Sequence, residues 1–262
     1  MKTVYFSSKL KAPTLFAVLD SYNTPYKFIE NTCDIWVRDF MPVQTKSGKY
    51  VSFRYEPSYL ADFPKLRTDY KTDIATQFPE LYVIYSDINL DGGNVVFSPS
   101  KSKAIISDRI FSENSERSQD ELVTELERLL EAQVIIIPAL SLKEDMTGHA
   151  DGMVRFVDEN TVVGNDTDND FEREIKSVLA RHGIEVIDFP YFESEGISAV
   201  GCYINFLETD EYIFLPVFGV EMDSDAISVA ERIFKKKIVP VSGINAVAKQ
   251  GGVLNCISWE GG

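Results

Sequence analysis

Only two histidines occur in the 262 residues, and one, His149, stands in "DMTGHADGMVRF" (145–156) two positions before a carboxylate, Asp151. Imidazole is the side chain best suited to moving a proton near neutral pH. The other histidine, His182, falls in the last turn of a helical stretch just before Gly183, where the helix C-terminal dipole would hold it. His149 is therefore the one histidine placed for acid–base work, although taken alone it also reads as a hydrogen-bonded structural residue. In an extended segment residues i and i+2 face the same way, so His149 and Asp151 are expected to look into one pocket. His-x-Asp is also half of a metal site. With two histidines and no Cys-x-x-Cys, a zinc set is hard to complete, and no metal is expected.

Three other stretches carry reactive or charged groups. "WVRDF" reads as a strand with Arg38 and Asp39 on opposite faces, either as an edge-strand ion pair or with Asp39 turned inward as a carboxylate for a cationic ligand. "DGGN" (91–94) reads as an Asp-Gly hairpin turn, or as a place where paired glycines let backbone pass close to a ligand beside Asp91. "GGVLNC" places Cys256 after a Gly251–Gly252 turn, whereas Cys33 and Cys202 read as inert buried thiols. Together these types suit a guanidinium. Paired carboxylates grip its planar fork of N–H donors. Its carbon is a poor electrophile because the charge is delocalised, so fixed carboxylates, a thiolate and one proton shuttle are the groups it needs. A bound cation would lower the cysteine pKa and favour the attacking thiolate.

A repeat is expected to bring these stretches together. "SQDELVTELERLLEA" puts Leu122, Leu126, Leu129 and Leu130 on one helical face behind a Ser118/Glu121 capping box. "DFEREIKSVLARHG" does the same with Phe171, Ile175, Val178 and Leu179, stopped at Gly183, and "DSDAISVAERIFKKK" with Ala226, Ile227, Ala230, Ile233 and Phe234. "APTLFAVLDSY" and a weaker copy, "TDYKTDIATQF", complete the set of helices. The strands that follow begin near 26, 82, 134, 184 and 238, at intervals of 56, 52, 50 and 54 residues. After each come a loop, a motif-bearing strand ("IWVRDFMPV", "DGGNVVFS", "HADGMVRFV", "CYINFLE", "VLNCISWE") and, in at least four cases, a further strand. A period near 50 predicts an α/β repeat architecture, five units closing into a ring around a central pocket fed by one polar cluster per unit.

Composition is consistent with an enzyme of this kind. A 44% hydrophobic and 12% aromatic content is ample for a core. A net charge of −15 argues against nucleic acid as a partner and suits a cationic substrate. No apolar run is long enough for a membrane span, and "MKTVYFSSKL" lacks a signal-peptide core. Three cysteines do not make a disulfide scaffold, so a reduced cytoplasmic protein is expected. No linker divides the chain, and residues 1–262 read as a single domain.

"WVRDFMP", "LDGGN", "GHADGMVRF", "CYINF" and "GGVLNC" resemble, in order and spacing over nearly the whole chain, the motifs of the agmatine deiminase and Porphyromonas-type peptidyl-arginine deiminase family of guanidino-group-modifying enzymes. The resemblance implies the pentein fold, a five-bladed α/β propeller. It implies Cys256 as nucleophile, His149 as general acid/base, and Asp39 and Asp151 as the carboxylates that hold the guanidinium. Asp91 stands at an acidic position near the histidine and is counted with the catalytic set. Asn205 and Trp36 stand at substrate-binding positions. The reaction implied is hydrolysis of a guanidinium to a ureido group and ammonia through a covalent amidino-thioether, with no metal or organic cofactor. Expected substrates are agmatine, which would connect the reaction to polyamine biosynthesis, free arginine, or arginine in a peptide. An amidinotransferase and a non-catalytic binding module are the rival readings, and a homo-oligomer is left open. The chain departs from the family at Met41 (usually Gly), at Asn255 (commonly His) and before Tyr203, where Cys202 replaces Ser, and it is shorter than typical agmatine deiminases. These departures fall where substrate identity is decided.

Overall fold

The computed structural model describes residues 2–194 and 198–261, which form five three-stranded sheets. The chain opens with β1 (Thr3–Ser7), α1 (Pro13–Ser21) and β2 (Tyr26–Ile29). A single helical turn, α2 (Val37–Phe40), leads into β3 (Val43–Gln44), β4 (Tyr50–Arg54) and β5 (Val83–Asn89). The third unit is β6 (Val96–Phe97), β7 (Lys103–Ser107), α3 (Arg109–Glu113), α4 (Gln119–Leu130) and β8 (Gln133–Ile137). The fourth is β9 (Val154–Asp158), β10 (Thr161–Asn165), α5 (Asp170–Arg181) and β11 (Glu185–Phe189). The fifth is β12 (Leu207–Glu208), β13 (Tyr212–Pro216), α6 (Met222–Ile233) and β14 (Lys237–Val241). The turn α7 (Asn245–Ala248) and β15 (Trp259–Gly261) follow.

Every sheet has the same plan: a middle strand pairs antiparallel with one neighbour and parallel with the other. The parallel pair spans a crossover, in four sheets an α-helix. The first sheet takes its antiparallel strand from the far end of the chain, with Thr3 opposite Gly261 and Tyr5 opposite Trp259. The five strands expected near 26, 82, 134, 184 and 238 are β2, β5, β8, β11 and β14. The fifth middle strand, which the repeat pattern leaves unassigned, is β1.

The helices form where the apolar spacing predicts. Leu122, Leu126, Leu129 and Leu130 of α4 are buried, and Ser118 Oγ accepts from the Glu121 N–H at the N-terminus. Gly183 ends α5 in the left-handed region at φ +70°, a conformation that Gly adopts without Cβ strain. The weaker copy, "TDYKTDIATQF", is not an α-helix. Residues Tyr70–Ile74 form a π-type turn and Ala75–Gln77 a 3-10 turn, because Asp69 and Asp73 bond locally to backbone and Pro79 follows.

Apolar packing lies between neighbouring units. The α4 leucines share a cluster with Val51 of β4 and Ile88 of β5 as well as with their own β7. Ile175 and Leu179 of α5 likewise join Ile135 and Ile137 of β8 to Val154 of β9. Such packing leaves the turns that precede β3, β6, β9 and β15, and the Cys202–Phe206 segment before β12, free to carry polar groups. No helix among the described residues is long and apolar enough to cross a membrane.

Candidate active site

The motif segments are strands only in their final residues. Their chemically interesting parts are tight turns, which corrects the extended reading of both "WVRDF" and "HADG". Val37–Phe40 is a helical turn, Gly92–Asn94 and Ala150–Gly152 are 3-10 turns, and Cys256 stands in a turn before β15. Asp39 and Arg38 part company there through helical rotation rather than strand alternation. Arg38 is not Asp39's ion partner: its guanidinium donates to both Glu260 oxygens at 3.0 Å. His149 and Asp151 meet the same cluster from the two ends of one short turn.

Asn94 ties two of these turns together. Its Oδ1 accepts from the backbone N–H groups of Ser107 (2.8 Å) and Ala150 (3.2 Å). A third turn docks so closely that the intervening glycines are obligatory. A Cβ on Gly92 would lie 2.2 Å from the Arg38 carbonyl oxygen, and one on Gly93 would lie 2.6 Å from Asp39 Oδ1 and 2.7 Å from His149 Nδ1. The paired glycines of "DGGN" therefore admit protein side chains. Gly252 does the same for the cysteine turn, since a Cβ there would meet the Trp36 ring at 2.6 Å and Cys256 Sγ at 3.0 Å. Trp36 and the sulfur thus face the same glycine.

Asp39, Asp91, His149, Asp151, Asn205 and Cys256 are each between 2% and 9% exposed and share one cluster. His149 stands between two carboxylates, with Nε2 2.8 Å from Asp91 Oδ2 and Nδ1 3.6 Å from Asp39 Oδ1. Tyr59 also donates to Asp91 Oδ2, at 2.7 Å, and Gly93 N–H donates to Asp39 Oδ1 at 3.2 Å. Across the site Cys256 Sγ is 3.7 Å from Asp151 Oδ2, which also accepts from Asn255 Nδ2 at 2.5 Å. Asn205 Oδ1 accepts from the backbone of Val253 (3.2 Å) and Cys256 (3.3 Å), so its carboxamide fixes the cysteine turn.

Burial disfavours the His149 imidazolium, but Asp39 and the Asp91 hydrogen bond outweigh it and push the pKa up to about 10. Burial raises the Asp39 carboxyl well above its usual range, His149 opposes this, and Asp91 and Asp151 reinforce it. Burial also holds the Cys256 thiol well above the ordinary range, with Asp151 and then Asp39 adding to the effect. Such a site is short of positive charge. A buried cation in contact with Asp39, Asp151 and the sulfur would relieve all three groups at once.

The structure thus brings Asp39, Asp91, His149, Asp151, Asn205 and Cys256 together, with Trp36 against the cysteine turn. Tyr59 and Asn255 were not assigned roles from sequence. Tyr59 lies in a 3-10 turn, Ser58–Leu60, too short to leave a periodic signal. Asn255, a departure from the family motif, proves to be a hydrogen-bond donor to Asp151. Asp34 is a further acidic neighbour, raised to about 6 by burial against the Trp36 N–H and Lys9.

The model of the Porphyromonas-type peptidyl-arginine deiminase family matches residues 10–261. A Selenomonas ruminantium protein assigned as an agmatine deiminase is 23% identical over 280 residues, which are 87% of this chain and 74% of that protein. The agmatine deiminase of Enterococcus faecalis superposes with a TM-score of 0.80 at 16% identity, over 99% of this chain and 93% of that one. The C. jejuni agmatine deiminase gives 0.76 at 18% identity, with the same coverage of 99% and 93%. The mixed α/β fold is thus the pentein fold of these enzymes.

Proposed function

Because this chain belongs to the Porphyromonas-type peptidyl-arginine deiminase family, we propose that it is a deiminase that hydrolyses the guanidinium of agmatine or a related small arginine derivative to a ureido group and ammonia. In this reading residues 1–262 are one catalytic domain, and the five sheets are the blades of an α/β propeller with the reacting groups on its axis.

The observation that carries the reading is the placement of Cys256 Sγ 3.7 Å from Asp151, with His149 buried across the cluster between Asp39 and Asp91. Asp39 and Asp151 would hold the guanidinium N–H groups and fix its carbon against the sulfur. Arrival of the cation lowers the thiol pKa. The thiol proton passes to solvent water, and the thiolate electron pair forms the S–C bond of a tetrahedral adduct. His149, an imidazolium at neutral pH, donates its proton to the departing nitrogen as the C–N bond breaks, and ammonia leaves. Neutral His149 then takes a proton from water, the hydroxide adds to the amidino carbon, and the C–S bond breaks to return the thiolate and the ureido product. Tyr59 and Asp91 would keep the imidazole in register.

Burial favours a small substrate over a peptide. With the reacting side chains all less than a tenth exposed, a chain segment would have to displace more of the surrounding wall than a free guanidino compound. Turnover of agmatine, free arginine and blocked arginine peptides, followed by a colorimetric ureido assay, tests this. Agmatine or a comparable small guanidine should be converted fastest, and Cys256→Ala should reduce turnover by several orders of magnitude while keeping a cooperative melt. A variant retaining more than about a tenth of the rate would remove the covalent step.

A further inference from the structure

A cavity of about 380 Å³ has a wall that includes Asp151, Asn255 and Gly92 but neither Cys256 nor His149. Five cations line it, and each comes from the neighbourhood of a different sheet: Lys2 before β1, Arg38 before β3, Lys101 between β6 and β7, Arg155 in β9, and Lys236 before β14. In a chain of net charge −15 this convergence is not an average property of the surface. Apart from Asp151, which belongs to the reacting cluster, the carboxylates on the wall are Glu208, Asp210 and Glu260.

Three of the cations are matched. Arg38 is held by Glu260 at 3.0 Å, while Lys236 (2.8 Å) and Arg155 (3.7 Å) share Glu208. The other two donate to neutral oxygens. Lys101 Nζ donates to the Gln44 carbonyl (2.8 Å) and to Gln44 Oε1 (3.1 Å), and Lys2 Nζ donates to that same Oε1 at 3.2 Å. Two ammonium groups thus converge on one neutral oxygen, and among the described residues no carboxylate lies within ion-pair distance of either. Burial, and then Lys2, lower the Lys101 pKa to about 8, while Glu260 opposes them. Lys101 also adopts φ +55° in its turn, a backbone conformation that Gly or Asn fills more readily.

We propose that this cavity is an anion site, separate from the reacting one, that takes a small dianion bearing a phosphate- or sulfate-type group with Lys101 and Lys2 as its direct partners. A tetrahedral oxyanion offers several acceptors to two lysines that now share one. The cavity volume falls within the range of sites for small organic ligands, so a phosphate monoester fits as well as the bare ion.

The test is calorimetric titration of the full chain with inorganic phosphate, sulfate and glycerol phosphate, each at ionic strength matched with sodium chloride. At least one oxyanion should bind saturably. Lys101→Gln and Lys2→Gln should each weaken it about tenfold or more, while Lys27→Gln, an exposed lysine away from the cavity, should leave it unchanged. Tighter binding of glycerol phosphate than of phosphate would identify an organic ligand, and equal binding the inorganic ion. Should Lys101→Gln fail to melt cooperatively, Lys2→Gln decides alone, since Lys2 is exposed. Absence of saturable heat above the chloride control, or unchanged affinity in the lysine variants, overturns the proposal.

Discussion

At the scale of single residues, the unusual property of Cys256 is a thiol held well above its ordinary pKa range, with burial as the largest cause and the Val253 and Asn205 contacts too weak to reverse it. Burial and two aspartates hold it as a thiol, so its reactivity should depend on the charge of the reagent. A haloacetamidine, which carries a guanidinium-like cation, should alkylate Cys256 well ahead of Cys33 and Cys202. Neutral iodoacetamide should lose that selectivity, because Cys33 is more accessible and Cys202 is itself raised to about 12 by burial. Peptide mapping by mass spectrometry reads both reagents, and equal labelling of the three thiols by the amidine would remove the recruitment argument. The carboxylates give a second test. Asp39 is buried with its carboxyl raised, and Arg38, the one arginine adjacent in sequence, is committed to Glu260. Asp39→Asn and Asp151→Asn should therefore abolish turnover while leaving Tm unchanged or higher, as where function is held at a cost in stability. If Asp39 were merely a structural partner, the Asn variant would instead lose roughly 1–3 kcal/mol and stay active per folded molecule.

At the scale of elements, the site is made by turns pressed together, and glycines set the distance. Gly93→Ala would insert a methyl group between Asp39 and His149, both within 2.7 Å of the new carbon, without touching the apolar core. The expected result is a fall in kcat of about 100-fold or more, since small displacements of catalytic groups cost this much, with a melting temperature lowered by only a few degrees. Activity close to wild type would mean that the His149–Asp39 approach is dispensable. Helices α4, α5 and α6 and their following strands were legible in the sequence because a buried face repeats every 3.6 residues and a capping Ser118 or terminal Gly183 marks the ends. The motif residues were legible as types. Their local structure was not, because a turn held by Asn94 and Asn205 through contacts more than ten residues apart leaves no periodic trace. Tyr59 was invisible for the same reason: it sits in a single 3-10 turn, its hydrogen bond to Asp91 spans 32 residues, and its ring meets His149 edge-on from still further along the chain.

At the scale of the whole molecule, the cluster makes stability depend on pH with a definite sign. His149 has a folded pKa of about 10 against an ordinary 6.5, so the stability it contributes is fully present below 6.5 and is lost as pH rises toward 10. The raised Asp39 and Cys256 shift in the same direction and so add to the loss. Thermal melts across pH 6.5 to 10 should show Tm falling, by about 2–4 °C for each kcal/mol lost in a chain of this size. In Asp39→Asn the fall should be shallower, because one of the two carboxylates holding the His149 proton is gone. An identical slope in variant and parent would assign the pH dependence to other groups.

The pairing of β1 with β15 also has a consequence for how the protein is made. Thr3 and Gly261 meet across almost the entire chain, and Cys256 lies only three residues before β15 begins. At a synthesis rate of about 5–20 residues per second, roughly ten to fifty seconds separate the two strands on the ribosome. Throughout that interval β1 presents an open edge that a neighbouring nascent chain could capture. Cys256 and the strand that covers this edge emerge almost together, so on the proposed mechanism the growing chain would gain its nucleophile only as that edge is closed.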